Sequence, residues 1–140
     1  MLRFLALGAV LCVCWAREDS VAVEGVLKCD GQPASGVLVK LYERDSLFDD
    51  KLASVKTDSR GHFRLQGRQA EWGGIKTKFN FYHKCGTLPL LKRFVPTCTF
   101  KGSFNIPDRY VSHGGSPSQV YDAQTIELSL YTKDTDCLHR

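Results

Sequence analysis

The chain has 140 residues, of which 43% are hydrophobic and 24% are charged, and its formal net charge is +4. This length suits one domain. Such a modest excess of positive charge makes nucleic acid a poor candidate partner, because binding to a phosphate backbone depends on many clustered cations.

The first segment of the chain has the features of a secretory signal peptide. Arg3 precedes an apolar run over residues 4–13, and the small residues Cys14 and Ala16 suit cleavage after Ala16. The run is shorter than the roughly 20 residues that a helix needs to cross a bilayer, and no second long apolar stretch follows. The sequence therefore predicts a leader at 1–16 and a secreted, extracellular domain at 17–140, rather than a membrane anchor.

Seven segments with β-strand character follow, separated by clusters of Gly, Pro, Asp and Ser. In the first of them Val21, Val23 and Leu27 alternate with small or polar residues, as in a strand with one buried face. The seven predicted strands lie near residues 21–28, 37–41, 52–57, 62–66, 76–85, 99–106 and 124–131. Because no strong helix candidate is present, we expect an all-β, seven-stranded sandwich.

The segments between these strands predict turns and loops. In residues 57–61, TDSRG, Asp58 starts a tight turn and Gly61 supplies the positive φ, so we expect the flanking strands to form a β-hairpin. The acidic segment 43–50 lacks the ligand pattern of a calcium loop and is predicted to be solvated. Residues 86–97 and 107–122 are predicted to be long loops.

Four cysteines, Cys29, Cys85, Cys98 and Cys137, remain after leader removal in a compartment that permits disulfides. Four cysteines allow three pairings. Strand parity places Cys85 and Cys98 each on the same face as neighbouring phenylalanines. If both faces point to one core, Cys85 pairs with Cys98 and Cys29 pairs with Cys137. Each bridge is expected to stabilise the fold by about 2–4 kcal/mol.

The histidine and cysteine residues of this sequence do not form a recognisable metal-binding pattern. His83 and Cys85 lie two residues apart on one predicted strand face and are ligand types for zinc, but Cys85 is expected in a disulfide. The other histidines fall at no ligand spacing. The sequence therefore predicts neither a metal nor a cofactor.

Positive charge is concentrated in residues 71–101, which hold six basic residues against Glu71 alone. The predicted loop in this segment carries apolar side chains beside its cations, a combination that binds anionic lipid surfaces. The candidate surface-binding residues are Lys76, Lys78, Leu90, Leu91, Lys92, Arg93 and Phe94. The alternative is that the same apolar side chains cap the open end of the sandwich, while the lysines keep an edge strand soluble.

Four motifs, taken in order, resemble one protein family. Residues 25–41, GVLKCDGQPASGVLVKL, resemble the first hairpin of the transthyretin superfamily. Residues 57–63 (TDSRGHF), 81–85 (FYHKC) and 106–110 (IPDRY) are similar to successive signatures of the nematode transthyretin-like family. The resemblance spans residues 21–131 and implies a transthyretin-like β-sandwich that acts as a secreted carrier, bridging factor or signal. The loop at 86–97 departs from the family pattern by being longer and more apolar.

The superfamily that these motifs resemble also contains an enzyme branch, the 5-hydroxyisourate hydrolases. Where that branch has a histidine at the first strand, this chain has Gly25, which has no side chain to move a proton. Where the branch has an arginine after the turn glycine, this chain has His62. The Tyr-Arg-Gly-Ser that ends the branch is replaced here by residues 136–140, DCLHR. We therefore expect no enzymatic activity.

Two classes of function remain. The chain is expected to be an extracellular recognition protein that binds a lipid surface, a small apolar ligand or a receptor. The alternative is a structural or matrix-associated extracellular module with no discrete ligand site, and a hydrolase is a distant third. The expected partner is an extracellular protein or an anionic lipid surface, and the sequence assigns neither the ligand's identity nor the oligomeric state.

Overall fold

A computed structural model describes Gly8 and residues 18–45, 48–70 and 74–138. The predicted leader lies outside the described residues apart from Gly8, as does the cleavage site after Ala16. Within the described ranges, no helix has both the length and the apolar character needed to cross a bilayer.

Ten strands, one short helix and two 3₁₀ turns make up the described part of the chain. The strands are β1 (Glu18–Cys29), β2 (Gln32–Pro33), β3 (Leu38–Glu43), β4 (Asp50–Lys56), β5 (His62–Ala70), β6 (Thr77–His83), β7 (Thr99–Ile106), β8 (Ser112–His113), β9 (Tyr121–Glu127) and β10 (Asp134–Asp136). Helix α1 (Leu90–Arg93) lies between β6 and β7, and 3₁₀ turns occupy Asp108–Tyr110 and Leu128–Leu130.

The strands form two sheets with one core between them. In the first sheet β1 is central: β5, β2 and β8 pair with it in the antiparallel sense, and β9 runs parallel to it. In the second sheet the order is β10-β7-β6-β3-β4, and every pairing is antiparallel. Buried side chains from both sheets contribute to the same hydrophobic cluster. This is a β-sandwich.

The predicted all-β class is confirmed, with ten described strands instead of seven. The seven strands of six residues or more correspond to the seven predicted segments, while β2, β8 and β10 have only two or three residues each. Such short pairings leave no alternation to recognise in a sequence. The last long strand is displaced from its predicted range of 124–131, because β9 ends at Glu127. The next residues form a 3₁₀ turn, in which Leu128 is buried and Leu130 is exposed.

Phenylalanines fill the centre of the sandwich. Phe79 and Phe81 of β6 are fully buried, and Phe104 of β7 stacks against both, with ring centroids 5.7 and 5.8 Å away. Gly102 lies directly opposite Phe81 on β7. A Cβ atom at this glycine would lie 2.1 Å from the Phe81 ring, so the missing side chain makes room for the aromatic core.

The turn predicted at residues 57–61 is confirmed, but the predicted hairpin across it is wrong. β4 pairs with β3 in the second sheet, whereas β5 pairs with β1 in the first, so the chain changes sheets at this turn. Asp58 organises the crossing, since its Oδ1 accepts hydrogen bonds from the backbone N–H groups of His62 and Arg60, both at 2.9 Å. These bonds lower the pKa of the Asp58 carboxyl group.

A second turn joins β1 to β2 through Asp30 and Gly31, both of which have positive φ. Glu127 at the end of β9 secures this turn. Its carboxylate accepts hydrogen bonds from the backbone N–H groups of Ser129, Gly31 and Asp30, which lower the pKa of Glu127 to about 2. The end of β9 is thereby tied to the tip of the β1–β2 hairpin.

The predicted disulfide pairing is wrong, because the structure joins Cys29 to Cys85 and Cys98 to Cys137. The β6–β7 ladder ends at His83 and Phe100, before it reaches Cys85 and Cys98. Cys85 instead enters the main core and bridges to Cys29 at the end of β1, which links the two sheets.

Cys98 belongs to a separate small cluster with Leu88 and Phe100. Strand β10 pairs with the edge of β7 that β6 leaves open, and this pairing carries Cys137 to within 3.9 Å of Cys98 between Cα atoms. Cys85 and Cys98 do not pair because they belong to two separate clusters, and strand parity could predict their pairing only for one shared core. The polar C-terminal segment, for which no strand was predicted, forms β10 and supplies Cys137 to Cys98.

Candidate functional site

Residues 86–97 form the inter-cysteine loop, which carries five of the seven predicted surface-binding residues. Disulfides fix both of its ends, since Cys85 precedes the loop and Cys98 follows it. Leu88 is only 8% exposed and packs against Cys98 and Phe100. The loop therefore projects from a fixed base.

The outer part of the loop is held by its own hydrogen bonds. Pro89 precedes α1, and its carbonyl oxygen accepts a bond from the Arg93 N–H at 3.0 Å. The Arg93 guanidinium donates from Nε and Nη2 to the Leu88 carbonyl oxygen, at 3.3 and 3.1 Å. No residue of α1 is buried, so the helical turn stands on the surface of the sandwich.

Apolar side chains of the inter-cysteine loop point into solvent. Leu91 is 85% exposed, Phe94 is 76% exposed and Leu90 is 63% exposed, and Val95 is also exposed. Of the apolar side chains in this loop, Leu88 has the buried position that a cap requires, whereas Leu90, Leu91 and Phe94 lie on the surface. Clustered large apolar side chains on a surface mark a site that binds another molecule or a membrane.

Three cations accompany this apolar cluster. The Lys84 ammonium donates to the Pro96 carbonyl oxygen at 3.0 Å, Lys92 donates to the Thr135 hydroxyl, and Arg93 bonds within the loop as described. None of the three has a carboxylate partner among the described residues. Their charges therefore remain available to an anionic surface.

The structure does not bring Lys76 and Lys78 together with the loop. Both lie at the Thr77 end of β6, whereas the loop leaves the His83 end, roughly 20 Å away along the strand. Lys76 pairs with Asp108 and Lys78 pairs with Asp49. The predicted patch thus divides into an unpaired cluster at the loop and two neutralised lysines at the opposite end of the sheet.

The side chains of His83 and Cys85, the two possible zinc ligands, both make structural contacts. Cys85 is in a disulfide, and its backbone N–H donates to His83 Nδ1 at 3.1 Å. His83 Nε2 donates to the Tyr131 carbonyl oxygen at 2.9 Å, so both ring nitrogens are occupied. Desolvation lowers the pKa of His83, which favours the neutral ring that this bonding requires.

Two of the positions at which the hydrolase branch differs, Gly25 and His62, line one small cavity of about 330 Å³. Gly25 lies there beside Phe63, whose ring would be 2.9 Å from a Cβ atom at Gly25. His62 is half exposed, with its Nδ1 3.9 Å from an Asp58 carboxylate oxygen. The lining contains one histidine and no arginine among the residues the structure describes.

Sequence reasoning missed a group of polar side chains on the outer face of the second sheet. Tyr42, Asn80 and Tyr82 are all buried, although they point away from the phenylalanine core. The signal was present in β6, where Asn80 and Tyr82 alternate with Phe79 and Phe81, so both faces of the strand carry bulky side chains. A strand with one solvated face rarely has this pattern.

Comparisons with known proteins agree on one family. The family model described as Transthyretin-like family matches residues 24–107. Transthyretin-like protein 5 of Caenorhabditis elegans is 40% identical over 127 residues, covering 88% of this chain and 87% of that protein. Transthyretin-like protein 2 of the same organism is 40% identical over 120 residues, covering 81% and 77%. Transthyretin-like protein 33 is 34% identical over 151 residues and covers both chains completely.

Among solved structures, a 9R-lipoxygenase from Cyanothece PCC8801 superposes with a TM-score of 0.39 and 15% identity, covering 79% of this chain and 16% of that one. This likeness is too low to support any argument about fold or function.

Proposed function

Because this chain belongs to the transthyretin-like family and carries an apolar, cationic loop on a disulfide-fixed base, we propose that it is a secreted, non-enzymatic protein that attaches to anionic lipid surfaces. The observation that carries the proposal is the inter-cysteine loop itself. Its exposed apolar side chains lie on both sides of Lys92 and Arg93, which no carboxylate neutralises within the described residues.

The apolar side chains supply the first part of the attraction. Leu90, Leu91 and Phe94 lie within five consecutive residues and project from one surface turn. Full transfer of one such side chain from water into a hydrocarbon environment contributes about 1.5–3 kcal/mol. Shallow insertion of two of these side chains therefore contributes to the free energy of binding. Because the base of the loop is fixed, little conformational entropy is lost on binding.

The cations supply the second part. Lys92 and Arg93 lie within the inter-cysteine loop and Lys84 contacts it through Pro96, and each cation near an anionic leaflet contributes about 1 kcal/mol. This attraction is screened over a distance of about 8 Å at physiological ionic strength. Attachment is therefore expected to weaken as salt is raised, without being lost entirely.

Secretion is supported by cysteine chemistry. All four cysteines of the predicted mature domain are paired in the structure. Such pairs persist in oxidising compartments and are rare in the cytosol. Together with the leader-like segment at residues 1–16, the pairing favours an extracellular location.

The test of the proposal is co-sedimentation of the mature domain with vesicles. We expect binding to vesicles containing phosphatidylserine and little binding to purely zwitterionic vesicles. Lys92→Glu combined with Arg93→Glu is expected to weaken binding by at least about 30-fold, since loss of two cations near the surface removes about 2 kcal/mol.

The matched control is Lys51→Glu combined with Lys76→Glu, which changes the net charge by the same amount at the other end of the second sheet. This control is expected to bind almost as well as the parent, because its substitutions lie far from the loop. Equal losses in the two variants, or no binding by the parent at low salt, would show that the loop is not the attachment site.

The non-enzymatic part of the proposal has its own support and its own test. At the positions that distinguish the hydrolase branch, this chain has Gly25 and a half-exposed His62. Neither arrangement provides a positioned base with the partners that proton transfer requires. Incubation of the mature domain with 5-hydroxyisourate is expected to give no turnover above the spontaneous rate, and measurable turnover would reject this part.

A further inference from the structure

One edge of the second sheet is only partly covered. Strand β6 pairs with β7 over residues 100–106, whereas β10 pairs with the opposite edge of β7 over residues 99–101 alone. Residues 102–106 therefore form an open edge of β7, with no strand beside them among the described residues. Alternate residues of an open edge direct their backbone N–H and C=O groups outward, so a short row of donors and acceptors is left without a strand partner.

The chain does not continue along the open edge before it enters β10. The preceding residues form the 3₁₀ turn Leu128–Leu130, and Tyr131 then turns into the core. The Tyr131 ring centroid lies 5.5 Å from that of Phe81 and 5.2 Å from that of Phe104. The C-terminal segment thus covers the first three residues of β7 and leaves the open edge uncovered.

A cavity of about 540 Å³ lies along the open edge. Gly102 and Ser103 both line it, although successive residues of a strand point to opposite faces of a sheet. The cavity therefore extends over both faces at the edge of β7. Leu130, which is 76% exposed, also lines it, whereas the inter-cysteine loop contributes no lining residue.

The two sides of the open edge differ in polarity. On the core side, Phe104 is only partly buried, and the exposed Leu130 lines the same cavity as Gly102. On the outer side, Ser103 and Asn105 are exposed. A strand laid along the open edge would therefore meet apolar groups on one side and neutral polar groups on the other.

Two other outer strands carry features that oppose pairing with a further strand. Strand β4 has an irregular register with β3 and carries exposed Lys51 and Lys56. Strand β9 has a positive φ at Gln124, which interrupts its extended backbone. The register of β7 with β6, in contrast, is regular along its whole length. A regular open edge is the kind of template to which a partner strand adds.

We propose that the open edge of β7 binds an extended segment of a partner protein, which adds to the second sheet as an antiparallel strand in line with β10. Another extended backbone matches a row of donors and acceptors at strand spacing, and this selects a peptide over a small molecule. The partner segment has alternating apolar and polar side chains, because the two sides of the open edge differ in the same way. Its antiparallel direction continues the pairing that β10 already makes with β7.

The test is a titration of the ¹⁵N-labelled mature domain with a capped seven-residue peptide in which valine alternates with serine, followed by NMR. A short added strand gives a dissociation constant on the order of 1 mM, so titration to ~5 mM is sufficient. The backbone amides of residues 102–106 are expected to shift, and those that face outward are expected to exchange more slowly with solvent. A second peptide with phenylalanine in place of valine tests a larger apolar side chain.

Two N-methylated peptides distinguish strand addition from other contacts. Methylation of the valine nitrogens or of the serine nitrogens removes one alternate set of N–H groups, and only one set faces β7 in an added strand. We expect one methylated peptide to lose binding and the other to retain most of it. Equal binding by the two peptides would overturn the proposal.

A matched pair of protein variants tests the position of the site. Leu130→Ser is expected to weaken peptide binding at least fivefold, because it removes exposed apolar surface from the cavity lining. Leu138→Ser changes a leucine that is 73% exposed and lies outside this lining, so it is expected to bind like the parent. Equal effects of the two substitutions would contradict binding at the open edge.

Absence of shifts at residues 102–106 with both the valine and the phenylalanine peptide would also overturn the proposal. Sedimentation velocity of the domain without peptide tests a different occupant, and we expect a monomer. A dimer that Leu130→Ser dissociates would show that a second copy of this chain occupies the open edge, which would reject the partner segment. These outcomes do not depend on vesicle binding, since the inter-cysteine loop lies outside the cavity.

Discussion

Replacement of Cys29 and Cys85 together by serine is expected to lower the free energy of unfolding by about 4 kcal/mol. The bridge closes a separation of 56 residues and joins the end of β1 to the end of β6, one strand from each sheet. Its loss removes a constraint on the unfolded chain and also leaves one buried hydroxyl group at position 85 and one partly buried hydroxyl group at position 29. A large share of the stability of so small a domain is then lost.

The matched control is the double replacement Cys98→Ser and Cys137→Ser. This bridge closes a separation of 39 residues, so the loop-entropy effect on the unfolded chain is similar. The folded protein, however, also gains freedom, since β10 has only three residues and can detach from β7. We therefore expect a smaller loss of stability, together with rapid proteolysis of the C-terminal segment in the folded state.

Guanidinium unfolding of the parent and both double variants measures these differences, and peptide mapping of the parent identifies the bridges. A peptide linking Cys85 to Cys98 would contradict the fold described above, as would a larger loss of stability on removing the C-terminal bridge than on removing the bridge between sheets.

The second large effect is expected at Gly61, where Gly61→Ala should cost at least about 3 kcal/mol. Gly61 has a φ of +75°, and its carbonyl oxygen accepts a hydrogen bond from the Leu27 N–H at 2.8 Å. A Cβ atom at this position would lie 2.2 Å from the Leu27 carbonyl oxygen, which is part of β1. The substitution therefore strains the turn and separates it from the central strand of the first sheet.

Gly36→Ala isolates the conformational part of this cost. Gly36 has a φ of +73°, almost the same as that of Gly61, but an added Cβ atom there meets nothing within 4 Å. We expect a loss of about 1 kcal/mol for this control, the usual cost of a left-handed conformation in a residue with a side chain. Thermal unfolding of both variants gives the comparison, and similar losses at the two glycines would reject the close contact between Gly61 and β1.

Local features of this fold were accessible from the sequence because they depend on neighbouring residues. Alternation located the long strands, and the Asp58 and Gly61 pattern located the turn before β5. The choice of sheet for each strand was not accessible, since β4 and β5 take partners that are distant in the chain. The same limit explains the disulfides, because Cys137 reaches Cys98 only through the pairing of β10 with β7.

The candidate site shows the same division. Composition indicated a loop in which leucines lie beside Lys92 and Arg93, and the structure places these side chains on the surface. Composition did not show that Lys76 and Lys78 are neutralised, because their carboxylate partners come from other loops of the chain. The buried polar group of Tyr42, Asn80 and Tyr82 was missed because it forms only when β3 pairs with β6, and these strands are far apart in sequence.

The most direct test of loop insertion is tryptophan fluorescence with brominated lipids, which quench only a side chain that enters the acyl region. Leu91→Trp in a Trp72→Phe background places the reporter on the loop, and Phe48→Trp in the same background places it at a similarly exposed position in the segment after β3. On phosphatidylserine vesicles the reporter at position 91 should shift to the blue and be quenched, while the reporter at position 48 should be unaffected. Equal quenching at both positions, or none at position 91 in a protein that still binds the vesicles, would contradict attachment through the inter-cysteine loop.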